Sequence, residues 1–346
     1  MNIAIDISPL SSGHRIRGVG SYVSLLKENI QKYDKNNRYI FFTGELPENA
    51  DLVHYPYFDP FFPTLPSRKK IKTIVTVHDL IPIMFKKHFP AGFKGGLRWQ
   101  YNKILLKKQN RIIVNSEATK KDLVKIVGVD RDKIDTVYLA VDPIYKKINL
   151  SKSERDKLSS KYNLPDKFMV YVGDVTWNKN LPRIIEAVKK TEINLLLIGK
   201  AIADDNFDRV NPWNKDRTRV GEMIHGVSRI KALGFLPDDD LSKIYNMADA
   251  LLMPSLYEGF GLPILEAMST GCPVITSREG SIEEVGGDAV LYVDAYSVDS
   301  IHEGILRFNT DDDLKQSFSE KGLVRAEKFN LERFITGTIS SYIKNE

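Results

Sequence analysis

Cysteine is almost absent. The chain of 346 residues has one, Cys272, which excludes a disulfide framework and any cysteine-based metal cluster. Long hydrophobic runs are missing too. The longest uncharged apolar stretches, such as Ile193–Gly199, are strand-sized and fall far short of the roughly 20 residues a bilayer span needs. The start, Met1-Asn2-Ile3-Ala4-Ile5-Asp6, lacks the basic region of a secretory leader and carries an acid at position 6. These absences point to a cytoplasmic protein. Acids are scarce in the first half: residues 1–150 carry net charge +11 and the remainder −6, for a total of +5. From Phe61 to Lys125 there are 15 basic residues and only three acids, Asp79, Glu117 and Asp122. Such a half suits an anionic partner, although a solvated basic face fits equally well.

An apolar fraction of 42% is enough for real cores and excludes a disordered chain. The length predicts two domains or one large one. Apolar runs at Asn2–Ser8, Arg38–Thr43, Asp51–Tyr55, Ile71–Val77 and Arg111–Asn115 read as strands. Gly18-Val19-Gly20 reads as a bare turn ahead of a helix over Tyr22–Tyr33. An amphipathic stretch covers Phe93–Lys108, and Ser116 caps a further helix. The same alternation restarts at Phe168–Gly173 and runs to a last strand at Val290–Val293. Strands alternating with helices argue for parallel α/β sheets. The polar stretch Lys146–Lys167 marks the change of domain. Open parallel sheets bind ligands at the carboxyl ends of their strands, so a site formed by both domains is the expectation.

The most informative segment is Ser255-Leu256-Tyr257-Glu258-Gly259-Phe260-Gly261-Leu262-Pro263-Ile264-Leu265-Glu266-Ala267-Met268. It follows an apolar strand and opens a helix. Its glycines keep the backbone bare, and Pro263 suits a first helical turn. Free N–H groups backed by the helix dipole attract a phosphate. A carboxylate accepts two hydroxyl hydrogen bonds at once, so Glu258 and Glu266 suit the diols of a hexose and a ribose. A phosphate site between two diol-binding acids describes a sugar nucleotide. An ordinary strand–turn–helix with surface acids is the alternative.

The two glutamates, with seven residues between them in Glu-Gly-Phe-Gly-Leu-Pro-x-Leu-Glu-Ala-Met, resemble the signature of the retaining GT-B glycosyltransferases of family 4. Further matches are Tyr171-Val172-Gly173, Lys179-Asn180-Leu181, Leu233-Gly234-Phe235-Leu236, Gly271-Cys272-Pro273-Val274 and Glu284-Val285-Gly286-Gly287-Asp288-Ala289. Arg17-Gly18-Val19-Gly20, Val77-His78-Asp79-Leu80-Ile81-Pro82 and Asn115-Ser116-Glu117-Ala118-Thr119 extend the resemblance into the first half. Those pieces look most like bacterial mannosyl- and related hexosyltransferases of surface-polysaccharide assembly.

The resemblance implies a GT-B fold: two Rossmann-like α/β/α domains with parallel sheets facing an inter-domain cleft. It implies an acceptor domain over 1–148, a donor domain over 149–327, and a helix over 328–346 returning to the first domain. It assigns Glu266 to the ribose, Glu258 to the donor hexose, and the Phe260, Gly261 and Leu262 amides to the diphosphate and sugar. Lys179 would neutralise the departing nucleoside diphosphate. His78 would reach the donor sugar, the Gly18–Gly20 loop would close on the diphosphate, and Phe235–Leu236 would lie near the base. A satisfied structural histidine and a plain strand-to-helix turn are the alternatives for His78 and the glycines. The chain departs from the pattern at Asp174 and Asn178, where a second cation is usual, and at Ala140, where glycine is usual.

The implied reaction moves a mannose- or glucose-type hexose from a GDP- or UDP-sugar to a saccharide or polyprenyl-diphosphate-linked acceptor, with retention and with no metal or cofactor. A non-catalytic nucleotide-sugar-binding protein or a GT-B-like sugar-nucleotide epimerase would share the scaffold. Loss of Glu258, Glu266 or Lys179 would mark the former, and none is lost. Asp238-Asp239-Asp240 and Asp311-Asp312-Asp313 resemble acidic metal sites, but helix N-termini explain both better. Cys272 reads as a small buried residue. No nucleic-acid module accompanies the positive charge. The basic and aromatic stretch Phe85–Tyr101 leaves two readings open: contact with an anionic membrane at the cytoplasmic face, or a helix on its own sheet with a basic outer face.

Overall fold

The structure, a computed structural model, describes residues 1–11 and 18–344. The chain divides into two compact units, Met1–Asp142 with Phe329–Glu346, and Pro143–Lys328.

The first unit holds strands β1 (Asn2–Asp6), β2 (Arg38–Phe42), β3 (Leu52–Tyr55), β4 (Lys72–Val77), β5 (Arg111–Val114) and β6 (Ile134–Thr136). They form one sheet in the order β2-β1-β3-β4-β5-β6, with every neighbouring pair parallel. Successive side chains of a strand point to opposite faces. Ile3, Ala4 and Ile5 are all fully buried, so both faces of β1 are covered. The covering helices are α1 (Gly18–Tyr33), α2 (Ile81–Met84), α3 (Gly92–Lys107) and α4 (Glu117–Asp122). Ser116 caps α4, its hydroxyl accepting the Thr119 N–H at 3.0 Å. The expected bare turn at Gly18-Val19-Gly20 is instead the first turn of α1, with Gly20 buried in it. An absent side chain does not prevent helical geometry in a first turn, where no preceding turn supplies acceptors. Arg17 lies outside the described residues.

The second unit repeats the architecture. Strands β7 (Met169–Val172), β8 (Leu195–Ile198), β9 (Ile230–Gly234), β10 (Ala250–Met253), β11 (Val274–Thr276) and β12 (Leu291–Tyr292) form a second parallel sheet, ordered β12-β11-β10-β7-β8-β9. Its helices begin with α5 (Lys152–Tyr162), α6 (Leu181–Lys189), α7 (Lys200–Ala203), α8 (Lys215–Ile224) and α9 (Asp238–Met247). They continue with α10 (Leu262–Thr270), α11 (Ile282–Gly286), α12 (Val298–Thr310) and α13 (Asp312–Ala326). α6 sends Leu181, Ile184, Ile185 and Val188, spaced at three and four, into a core shared with β7, β8 and β10. A fully buried Leu or Ile of this kind contributes about 2 kcal/mol. The aspartate runs sit at helix starts: three acids fill the first turn of α9, and Asp311 caps α13.

The stretch Lys146–Lys167 does not separate the units. The division falls at Asp142/Pro143, and the polar stretch belongs to the second unit. It contains α5, held by a capping box between Ser151 and Glu154. The last helix, α14 (Leu331–Ile343), belongs to the first unit and packs on α1. Tyr342 is fully buried there and meets His54 Nδ1 at 2.7 Å. Lys344 donates to Asp135 at 3.0 Å.

Candidate active site

In the second unit, the expected site residues Lys179, Glu258 and Glu266 lie on the loop after β7 and on the loop and helix after β10. After Met253 the chain runs through Glu258 and enters α10 at Leu262. Gly261 stands before the helix at φ +93°, a left-handed conformation that glycine adopts without strain. α10 has Pro263 in its first turn and no side-chain cap, so it presents N–H donors and the positive end of its dipole. Phe260 and Leu265 are buried and fix this turn. Glu266 lies on the second turn, largely buried, and its Oε2 accepts the Tyr245 hydroxyl at 3.3 Å.

Glu258 is buried, and both its carboxylate oxygens accept from the Lys179 ammonium, at 2.8 and 3.0 Å. Lys179 ends a tight turn, Trp177–Lys179, between β7 and α6. Two asparagines tie that turn to the Glu258 loop. Asn178 donates to the Tyr257 carbonyl at 3.1 Å, and the Leu256 N–H donates to the Asn178 carbonyl at 2.7 Å. Asn180, at φ +60°, donates to the carbonyls of Pro254 and Ala295 at 2.9 and 2.7 Å. Asn178 therefore stitches the lysine loop to the glutamate loop at a position where a second cation is the expected residue type.

A third segment clamps Glu258 from the far side. The Ser281 N–H and hydroxyl both donate to the Glu258 carbonyl, at 3.1 and 3.0 Å. Gly280 passes so close that a Cβ there would sit 2.5 Å from that carbonyl oxygen. Neither residue stands out in the sequence, because nothing local to them signals a partner 22 or more positions earlier. The Tyr171 hydroxyl donates to the Asp174 carbonyl at 2.5 Å. Burial, then the Glu258 charge, pushes its pKa well above the usual tyrosine range. Tyr245 is raised likewise, by burial and then by Glu266. Both phenols stay neutral and act as donors.

The remaining expected residues are scattered. Phe235 is half exposed just after β9, while the Leu236 side chain is buried, leaving only its backbone to meet a ligand. Ala140 and Cys272 are buried, and burial pushes the Cys272 thiol far up. In the first unit His78 follows β4, and its Nε2 lies 3.0 Å from the Pro56 carbonyl. A carbonyl only accepts, so Nε2 carries the hydrogen. The Tyr22 ring meets the His78 ring edge-on at 5.0 Å. Asp79 accepts the Ile81 N–H at 2.9 Å and so starts α2. Gly18 and Gly20 lie in the first turn of α1. Among the described residues no group of three or more His, Cys, Asp or Glu could hold a metal ion, and no helix is long and apolar enough to cross a membrane.

Two parallel six-stranded sheets covered by helices are the GT-B fold. The match is explicit in sequence. Residues 152–325 match the family model "Glycosyl transferases group 1", and residues 11–144 match "Glycosyltransferase Family 4". The chain belongs to this glycosyltransferase family and is a hexosyltransferase. It is 31% identical over 299 residues to O-antigen chain mannosyltransferase B of Escherichia coli, covering 84% of this chain and 75% of that protein. It is 27% identical over 267 residues to the serotype-specific mannosyltransferase WbdA of Escherichia coli, covering 75% of this chain. It spans about a third of WbdA, 32% of that protein's length. Among solved structures, Anabaena Alr3699/HepE in complex with UDP and glucose superposes with a TM-score of 0.72 at 16% identity, covering 98% of this chain and 99% of that one.

Proposed function

We propose that this chain transfers a mannosyl residue from a nucleotide diphosphate sugar to a saccharide or polyprenyl-diphosphate-linked saccharide in cell-surface polysaccharide synthesis, with retention of configuration. The observation that carries the reading is the buried Lys179–Glu258 pair, set directly before a helix N-terminus that bears Glu266. The names of the relatives, O-antigen chain mannosyltransferase B and WbdA, support mannose as the sugar. A UDP-glucose-type donor is the second reading, favoured by the UDP and glucose in the HepE complex.

In this reading Glu266 accepts the ribose hydroxyls and Glu258 those of the hexose. The amides at Phe260–Leu262, leading into α10, hold the diphosphate, and Lys179 balances its charge without a metal. The bond from the anomeric carbon to the β-phosphate oxygen breaks as the acceptor oxygen forms a bond on the same face. The acceptor proton passes to the departing phosphate. Glu258 does not serve as a covalent nucleophile, because both its oxygens are committed to Lys179 and to sugar hydroxyls. The enzyme works at the cytoplasmic face of an anionic membrane, where a lipid-linked acceptor is found.

The test is a thermal-shift panel with GDP, UDP, ADP and dTDP, with and without EDTA, followed by product analysis with the matching sugar donor. A ligand at 100 times its dissociation constant stabilises by about 2.7 kcal/mol, enough to move a melting temperature. The expected result is a selective shift with GDP that persists in EDTA and disappears in Glu266→Ala. A UDP-selective shift would transfer the assignment to the second reading. No shift with any nucleotide would overturn the donor site.

A further inference from the structure

Helix α3 is apolar on two opposite faces. One face, with Trp99, Leu105 and Leu106, is buried in the core of the first unit. The other carries Phe93, Leu97, Tyr101 and Ile104, which are 83%, 57%, 51% and 52% exposed. At 100° per residue these four form a single row along the helix, roughly opposite the buried row. A helix that only covers its own sheet needs one apolar face. The second row contributes nothing to the core, and leaving such side chains in water is unfavourable.

The charge around this row has one sign. Lys94 and Arg98 border it on one side and Lys103 and Lys107 on the other, while the whole segment from Leu80 to Ser116 contains no Asp or Glu. Phe62, 60% exposed, enlarges the apolar patch, with the Arg98 guanidinium 5.9 Å from its ring centre. An apolar row fringed by cations matches an anionic bilayer interface. The rings and aliphatic chains enter the boundary between headgroups and acyl chains, while lysine stems lie along it and keep their ammonium groups among lipid phosphates. A second copy of the chain is a poor occupant, because pairing this face with itself sets cations against cations.

We propose that the outer face of α3 docks the protein on an anionic membrane surface, with Phe93, Leu97, Tyr101 and Ile104 inserted and the flanking cations on acidic headgroups. The two readings of the basic aromatic stretch then both hold, one for each face of the same helix. The proposal rests on the function above only for its purpose, which is to bring the enzyme into the plane of a lipid-linked acceptor. Docking needs no catalysis, so it can be tested apart.

The experiment is flotation of the full chain with vesicles of phosphatidylcholine alone and of phosphatidylcholine with phosphatidylglycerol. Binding to the anionic vesicles should be about tenfold stronger or more, and should weaken at high salt. The variant Phe93→Ser/Leu97→Ser/Ile104→Ser should lose most binding while its melting temperature and its nucleotide shift stay unchanged. The variant Lys94→Gln/Arg98→Gln/Lys103→Gln should lose the preference for anionic vesicles, and it decides the matter should the serine variant fail to fold. Equal binding to both vesicle types, or full binding by the serine variant, would overturn the proposal. So would self-association abolished by the serine variant in a chain that ignores vesicles. A wild-type chain that floats with anionic vesicles but ignores every nucleotide would leave docking standing and refute the donor reading.

Discussion

Lys179 and Glu258 meet with side-chain exposures of only 17% and 7%. A pair so placed gives up much hydration, and its attraction does little more than offset that loss. Its value lies in what can replace it. A diphosphate competes with Glu258 for the ammonium, and a hexose hydroxyl competes with Lys179 for the carboxylate. Replacing Glu258 by Gln frees the ammonium of its counter-charge, so nucleoside diphosphate should bind several-fold tighter by calorimetry. Hexose transfer by the same variant should fall about a hundredfold in initial-rate assays, because the charge and one of the two acceptor oxygens are lost. Lys179→Ala leaves a buried carboxylate uncompensated. It should cost about 3 kcal/mol in urea denaturation, and the double variant Lys179→Ala/Glu258→Ala should recover part of that loss.

Elements with a continuous apolar run or a clear helical stripe are legible in the sequence. β1, β2, β3, β4, β5 and β7 lie within two residues of where the apolar runs put them. α5 is not legible by periodicity, because Leu158 is its one buried residue, although Ser151 and Glu154 spell out its capping box. β6, three residues long, carries too little pattern to stand out. The same contrast holds at the site. Glu258 and Glu266 are visible because they share one loop and helix with fixed spacing. The segment that clamps Glu258 is invisible because its hydrogen bonds join β-strand ends distant in sequence. Gly280 makes this testable: at φ +68°, with the Glu258 backbone against its Cα, it has no room for a methyl group. Gly280→Ala should displace Glu258 and lower kcat/KM by about tenfold or more, while far-ultraviolet circular dichroism stays native.

At the scale of the whole molecule, a buried chain of neutral polar groups runs through the first unit. Tyr342, His54, Thr76 and Tyr22 are linked at 2.7, 2.8 and 2.9 Å. Burial, then the charge of His78, lowers the His54 pKa to about 3 from its ordinary 6.5. Above pH 6.5 neither the folded nor the unfolded chain protonates this ring. Below it the unfolded chain takes up a proton that the folded chain refuses, so stability falls as pH drops towards 3. The slope from this one group is about 1.4 kcal/mol per pH unit. Urea denaturation at pH 6, 5 and 4 should approach that slope, and His54→Gln should flatten it.

The bond between His54 and Tyr342 spans 288 positions of the chain. The first unit is begun by Met1–Asp142 and closed by α14, with the 186 residues of the second unit, Pro143–Lys328, made in between. At 5–20 residues per second that interval lasts roughly 10–40 s. Throughout it the face of α1 that will receive Phe334 stays uncovered on the nascent chain, waiting for a helix the ribosome has yet to make.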